Sequence, residues 1–160
     1  KMKNLFTIQI PEILSGYDSR LKHVGAIGKG NWAAIPWVAS MDSDLTKSVS
    51  KSVYLVYLFC ADGSGLFFAL GQGTGGINKV INDKVYETTR LQIFDKIQPN
   101  EIGFESGPLK NGSLKAPGNT RAKAYEKATI MFKFYSRNKL KLMTDKKLTK
   151  IGRASCRERV

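Results

Sequence analysis

Trp37, Tyr54 and Leu58 are the residues whose types and spacing could do chemistry, and that chemistry is the stacking of a planar ligand. Trp37 leaves a stiff dipeptide, because Ile35 precedes Pro36 and a residue before proline avoids the helical region. Tyr54 and Leu58 are four apart in the aromatic run VYLVYLF, and on a strand such residues share a face. Upstream, Gly28 and Gly30 permit a tight turn with Lys29 between them, so the Lys29 side chain should project from a loop tip. Two aromatic rings and a leucine beside a basic loop tip would form a flat slot. The alternative is that all three apolar residues are core. Asn31, in the same loop, is either a polar contact to the ligand or an asparagine that stabilises the turn. Lys22 and His23 carry positive charge into the loop; His23 either touches a phosphate or is an ordinary surface histidine.

Other chemistries lack their residues. One histidine, His23, and two distant cysteines, Cys60 and Cys156, do not build a structural zinc site, and a single histidine gives no basis for a triad. A metal-dependent nuclease needs clustered carboxylates, and Asp145-Lys146-Lys147 is the nearest approach, in a run of solvated charge. The glycines of GQGTGG (residues 71–76) suggest a phosphate cradle, but no Gly-Lys-Ser/Thr ending follows and the acidic residue of a dinucleotide fold is missing. A strand-to-helix turn is the plainer use. No enzyme activity, metal or cofactor is therefore expected.

Charge points to the partner. The 160 residues hold 26 Lys and Arg against 13 Asp and Glu, a net charge of +13, which favours a polyanion. The surplus is ten in residues 101–160 and three in residues 1–100. The segment IGRASCRERV (residues 151–160) is expected to be a non-native or disordered basic tail; setting it aside leaves +11. No apolar run is long enough to cross a membrane, and the first residues lack the pattern of a signal peptide, so a cytoplasmic protein with no membrane partner is expected.

The elements that must position the slot follow from patterning. Residues 3–15 read as an early strand or short helix. Residues 40–52 are polar and read as an exposed loop. Residues 53–59 form a near-continuous apolar run, as in a strand covered on both faces. Asp62-Gly63 signals a hairpin, with residues 66–70 returning. Residues 77–97 carry helical periodicity and should cover a sheet face. Residues 102–109 are strand-like, and residues 110–120 (KNGSLKAPGNT) read as a flexible loop. Residues 121–135 are ambiguous: Ile130, Phe132 and Phe134 alternate as a strand, while Tyr125, Ala128, Phe132 and Tyr135 fit a helix. The sum is a single α/β domain over residues 1–150, a mixed, twisted β-sheet flanked by helices, with long functional loops.

The sequence GKGNWAAIPWVA (residues 28–39), followed by a polar spacer and VYLVYLF, resembles the N-terminal DNA-binding domain of McrB-type restriction subunits, the MrcB-like N-terminal domain. LFFALGQGT (residues 66–74) is similar to the family's next strand with its Q-G-T ending, and YEKATIMFKFY (residues 125–135) is similar to its later Y-E segment. The resemblance covers roughly residues 1–145 and inclines residues 121–135 toward an extended segment. It implies a DNA-binding module that reads modified cytosine (5-methylcytosine or a related base) in duplex DNA by base flipping, as the targeting domain of a modification-dependent restriction system. Trp37 and Tyr54 match positions that sandwich the extruded base, and Leu58 matches the apolar contact beside it. Lys29 matches the loop-tip position that fills the gap in the stack; an aromatic can stand there, so a wedge and a phosphate or base-edge contact both remain open. The implied partners of a full-length protein are a GTPase motor domain and a nuclease subunit or domain. The alternative function is sequence-specific or single-strand binding without modification readout.

Overall fold

The structure, a computed structural model, describes residues 2–28, 33–46, 48–75 and 79–143, with residues 79–82 described by backbone alone. Six strands form one sheet: β1 (Leu21–Ala26), β2 (Trp37–Asp42), β3 (Val53–Phe59), β4 (Gly65–Gln72), β5 (Glu105–Ser106) and β6 (Thr129–Ser136), in the order β1-β2-β3-β4-β6-β5. Helical segments are α1 (Met2–Asn4), a π-helical stretch (Leu5–Gln9), α2 (Ile10–Ser15), α3 (Lys79–Phe94), α4 (Thr120–Ala128) and α5 (Arg137–Lys141). The α/β architecture is the expected one. Among the described residues every strand pairing is antiparallel, so the sheet is not of mixed direction.

β3 is the spine. Tyr54, Val56 and Leu58 point to one face and are buried with Ala39, Met41, Phe67, Ala69 and Leu114. Val53, Leu55, Tyr57 and Phe59 point to the other and are half-buried, against clusters built on Phe68, Ile130 and Tyr135 and on Phe6 and Val38. A strand packed on both sides has no polar face to present, which is why its sequence is apolar throughout. The Asp62-Gly63 hairpin forms as expected: the Cys60 N–H donates to the Gly65 carbonyl at 3.0 Å and Asp62 Oδ1 accepts from the Ser64 N–H at 2.9 Å.

On the Val53–Phe59 side lie the N-terminal helical segments and α3. Phe6 is buried and meets Phe59 edge-on, with centroids 4.9 Å apart. The helix can cross β1 there because residue 25 is glycine; a Cβ would fall on the Phe6 carbonyl oxygen. Within residues 77–97 the helical periodicity is realised over Lys79–Phe94, and α3 packs through Ile93 and Phe94.

On the Tyr54–Leu58 side lie α4 and two loops. Three expectations need correction here. Residues 102–109 form only the two-residue β5, because Gly103 adopts a φ of 72° and the Gly107-Pro108 step has no N–H at the proline to continue a ladder. Residues 121–135 are neither all helix nor all strand: α4 runs to Ala128 and β6 starts at Thr129, so each periodicity is real over its own half. The loop at 110–120 is fastened. Glu126, 4% exposed, accepts from the Leu114 N–H at 2.9 Å and the Gly112 N–H at 3.1 Å, and Leu114 is fully buried. Its composition of Gly, Asn and Pro reflects turn geometry, not freedom.

Candidate nucleic-acid interface

Trp37 faces Leu58 directly across the β2–β3 ladder, and Tyr54 faces Gly71 across the β3–β4 ladder. Because side chains alternate along each strand, Trp37, Leu58, Val56 and Tyr54 all project to one side of the sheet. They form the floor of a cleft of about 700 Å³. Gly71 adds no side chain to that floor, which leaves depth beside Tyr54. One wall is the loop carrying Val49 and Ser50 with Gln72, Thr74 and Gly75. The other is α4, through Thr120, Arg121, Ala124, Tyr125 and Ala128, and then Thr129.

The first wall is shaped by the Q-G-T strand end. Gln72 is buried and its side-chain amide donates to the Tyr86 carbonyl at 3.1 Å, tying the end of β4 to α3. The Gly73 N–H donates to the Ser52 carbonyl at 2.8 Å and the Gly75 N–H to the Ser50 carbonyl at 3.2 Å. A Cβ on Gly73 would collide with the Ser50 backbone, so the glycine is what lets the 48–52 loop lie against the strand. These two amides are spent on carbonyls and are not free to cradle a phosphate, which removes the nucleotide-loop reading of residues 71–75.

The second wall supplies what a planar ligand needs. Tyr125 and Trp37 are both half-buried and line the cleft together. Burial raises the Tyr125 hydroxyl above the ordinary phenol range, against opposing pulls from Arg121 and Trp37. Burial, then the neighbouring Tyr125 and Tyr86, pushes the Tyr54 hydroxyl up further. Both rings are therefore neutral at physiological pH and present uncharged faces. The Tyr54 hydroxyl lies 3.5 Å from the Gln72 carbonyl, a weak contact. Among the described residues lining the cleft, Arg121 is the cation, exposed in the first turn of α4.

The residues expected at the site divide into four groups. Trp37, Tyr54 and Leu58 come together. Tyr54 and Leu58, 9% and 3% exposed, are also members of the core, so core and cleft floor are the same residues seen from two sides. Lys22 is exposed on β1; it pairs with Met41 and lies on the cleft face, outside the cleft lining. His23, its neighbour, must face the opposite side, where its Nδ1 is 2.8 Å from the Ser40 hydroxyl. It is half-buried, and desolvation holds its pKa below the usual histidine value against the raising influence of Asp18. Lys29 and Asn31 lie outside the described residues, as do Asp145 and residues 151–160. Arg121 and Tyr125 had no assigned role in the sequence reading. Their i, i+4 spacing puts them on one helix face, a signal hidden by reading this segment as extended.

The family model described as MrcB-like, N-terminal domain matches residues 1–150. The chain belongs to this family. The MrcB-like domain is a DNA-binding module, the targeting part of McrB-type restriction systems. Neither a curated protein nor a solved structure matches the chain. Among the described residues there is no group of three or more His, Cys, Asp or Glu side chains able to hold a metal ion, and no helix long and apolar enough to cross a membrane.

Proposed function

We propose that this MrcB-like domain recognises modified cytosine in duplex DNA by turning the base out of the helix into the cleft between Trp37, Tyr54 and Tyr125, with Leu58 and Val56 beneath it. The observation that carries the reading is the convergence of Trp37, Tyr54 and Leu58 on one cleft of about 700 Å³. Extrusion costs a few kcal/mol, and stacking on an aromatic side chain returns about 1–3 kcal/mol per base. Two aromatic contacts offset the cost.

Lys29 is proposed as the loop-tip group that enters the gap left in the stack or contacts the backbone, with Asn31 beside it as a base-edge or backbone contact. Lys22, exposed on the cleft face, contributes to the positive field over the DNA. His23 contributes no charge there, because it is held neutral on the other side of the sheet. The methyl group alone supplies about 0.8 kcal/mol on burial, roughly fourfold in affinity. Sharper selectivity comes from polar groups at the cleft, for which Gln72, Thr129 and Ser50 are the nearest candidates. In the longer protein the domain directs a GTPase motor and a nuclease, in the cytoplasm, to modified sites.

The test is a panel of duplexes of one sequence carrying cytosine, 5-methylcytosine or 5-hydroxymethylcytosine. Tighter binding of the modified duplexes, with increased fluorescence of a 2-aminopurine placed beside the modified base, supports flipping readout. Equal binding across the panel assigns the domain to sequence-specific or single-strand binding instead.

A further inference from the structure

We infer that the cleft takes a whole nucleotide, base, sugar and phosphate, and therefore binds a free 5-methylated pyrimidine nucleoside monophosphate in the absence of duplex DNA. The inference rests on the base-binding reading above and extends it to a ligand that needs no extrusion.

Size is the first argument. At no more than the roughly 30 Å³ that one separate water molecule occupies in the liquid for each non-hydrogen atom, a methylated cytosine ring of about nine such atoms needs at most about 270 Å³ and its deoxynucleoside monophosphate of about 21 at most about 630 Å³. The cleft holds about 700 Å³. A base alone would leave more than half of it to solvent.

The distribution of chemistry is the second. The floor is apolar and aromatic, built of Trp37, Tyr54, Val56 and Leu58, and suits the ring. The α4 wall begins with Thr120 and Arg121, both exposed, so hydroxyl and guanidinium groups stand on the solvent side of the aromatic floor. A guanidinium binds a phosphate through paired N–H donors, whereas a sugar hydroxyl gains nothing comparable from it. Arg121 is thereby placed to read the phosphate attached to the seated base.

The third is preorganisation. The walls are held by contacts internal to the protein: Gly73 and Gly75 to the 50–52 backbone, and Gln72 to Tyr86. No DNA is needed to assemble them. A preformed site spends none of its binding energy on ordering.

Calorimetric titration of the full chain with 5-methylcytosine, 5-methyldeoxycytidine and 5-methyl-dCMP tests the inference. The expected order is base weakest and monophosphate tightest, with the phosphate adding about two- to fivefold through its contact to an exposed arginine. Arg121→Ala should abolish the difference between monophosphate and nucleoside, and Arg121→Lys should restore part of it. The monophosphate should also displace a methylated duplex. Equal affinity for nucleoside and monophosphate, persistence of the phosphate step in Arg121→Ala, or no binding of either ligand at millimolar concentration overturns the inference. If that happens while methylated duplex is still preferred over unmethylated, base readout stands and the whole-nucleotide site falls. Loss of duplex preference overturns the base reading itself.

Discussion

Trp37 and Tyr125 line the same cleft, one from the start of β2 and the other from the second turn of α4. Leu58 lies opposite Trp37 on the ladder beneath them. The indole is half-buried at this position. A tryptophan serving only as core would be packed on both faces.

Trp37→Ala should therefore separate binding from folding. Binding of a methylated duplex should weaken by about 1–3 kcal/mol, the range for a lost stacking contact. The folding cost, read by urea denaturation, should stay below the about 3–5 kcal/mol of a truncated core tryptophan. Equal weakening for methylated and unmethylated duplexes, or outright unfolding, would return Trp37 to the core.

Glu126 should be worth more to stability than its acidic character suggests. Glu126→Ala leaves the Gly112 and Leu114 amides without their acceptor, and an unpartnered buried donor costs about 1–3 kcal/mol. Glu126→Gln keeps one carbonyl oxygen and should cost less. Denaturation midpoints of the two variants check the order; a midpoint unchanged in Glu126→Ala would show that the loop holds without its anchor.

Gly73→Ala should destabilise the domain and disturb the cleft together. The added methyl meets the Ser50 backbone, and overpacking of this kind costs about 1–3 kcal/mol. Since Ser50 also lines the cleft, duplex binding should fall in the fraction that remains folded. Normal binding by a fully folded variant would mean that the 48–52 loop yields without consequence.

Stability should decline as pH is lowered from about 7.5 to 5.5, through the unfolded-state histidine value near 6.5. His23 has its folded pKa depressed by desolvation, so in this window the unfolded chain binds the extra proton. Stability then rises with pH: the contribution is complete above the unfolded value and is lost as pH falls toward the folded one. Thermal midpoints of the wild type and His23→Gln across this range are the measurement. The slope should flatten in the variant; an identical slope would assign it to other groups.

Much of this architecture is legible in the chain. The apolar run of β3, the Asp62-Gly63 turn and the helical period of α3 each carry a local pattern that the tertiary structure leaves intact. Which residues share a face was legible where strand alternation decides: Tyr54 and Leu58 do because they are four apart. The same rule, applied to Lys22 and His23, already forbids both from one face of β1. Residues 121–135 resisted because two periods abut at Ala128 and Thr129 with no glycine or proline between them. The cleft wall contributed by Arg121 and Tyr125 was lost with that boundary. The anchoring of the 110–120 loop was beyond local pattern altogether, since its partner is a carboxylate on the following helix.

That anchoring has a consequence for how the protein can change. Glu126 grips main-chain N–H groups, which every residue but proline possesses, and it is indifferent to the side chains those residues carry. Lys110 and Asn111 are exposed at the tip of the same loop. Their identities can drift, or be randomised in a library, without loosening the hold. The loop is a fixed mount with interchangeable fittings, and its tip is where variation is tolerated most cheaply on the face that carries the cleft.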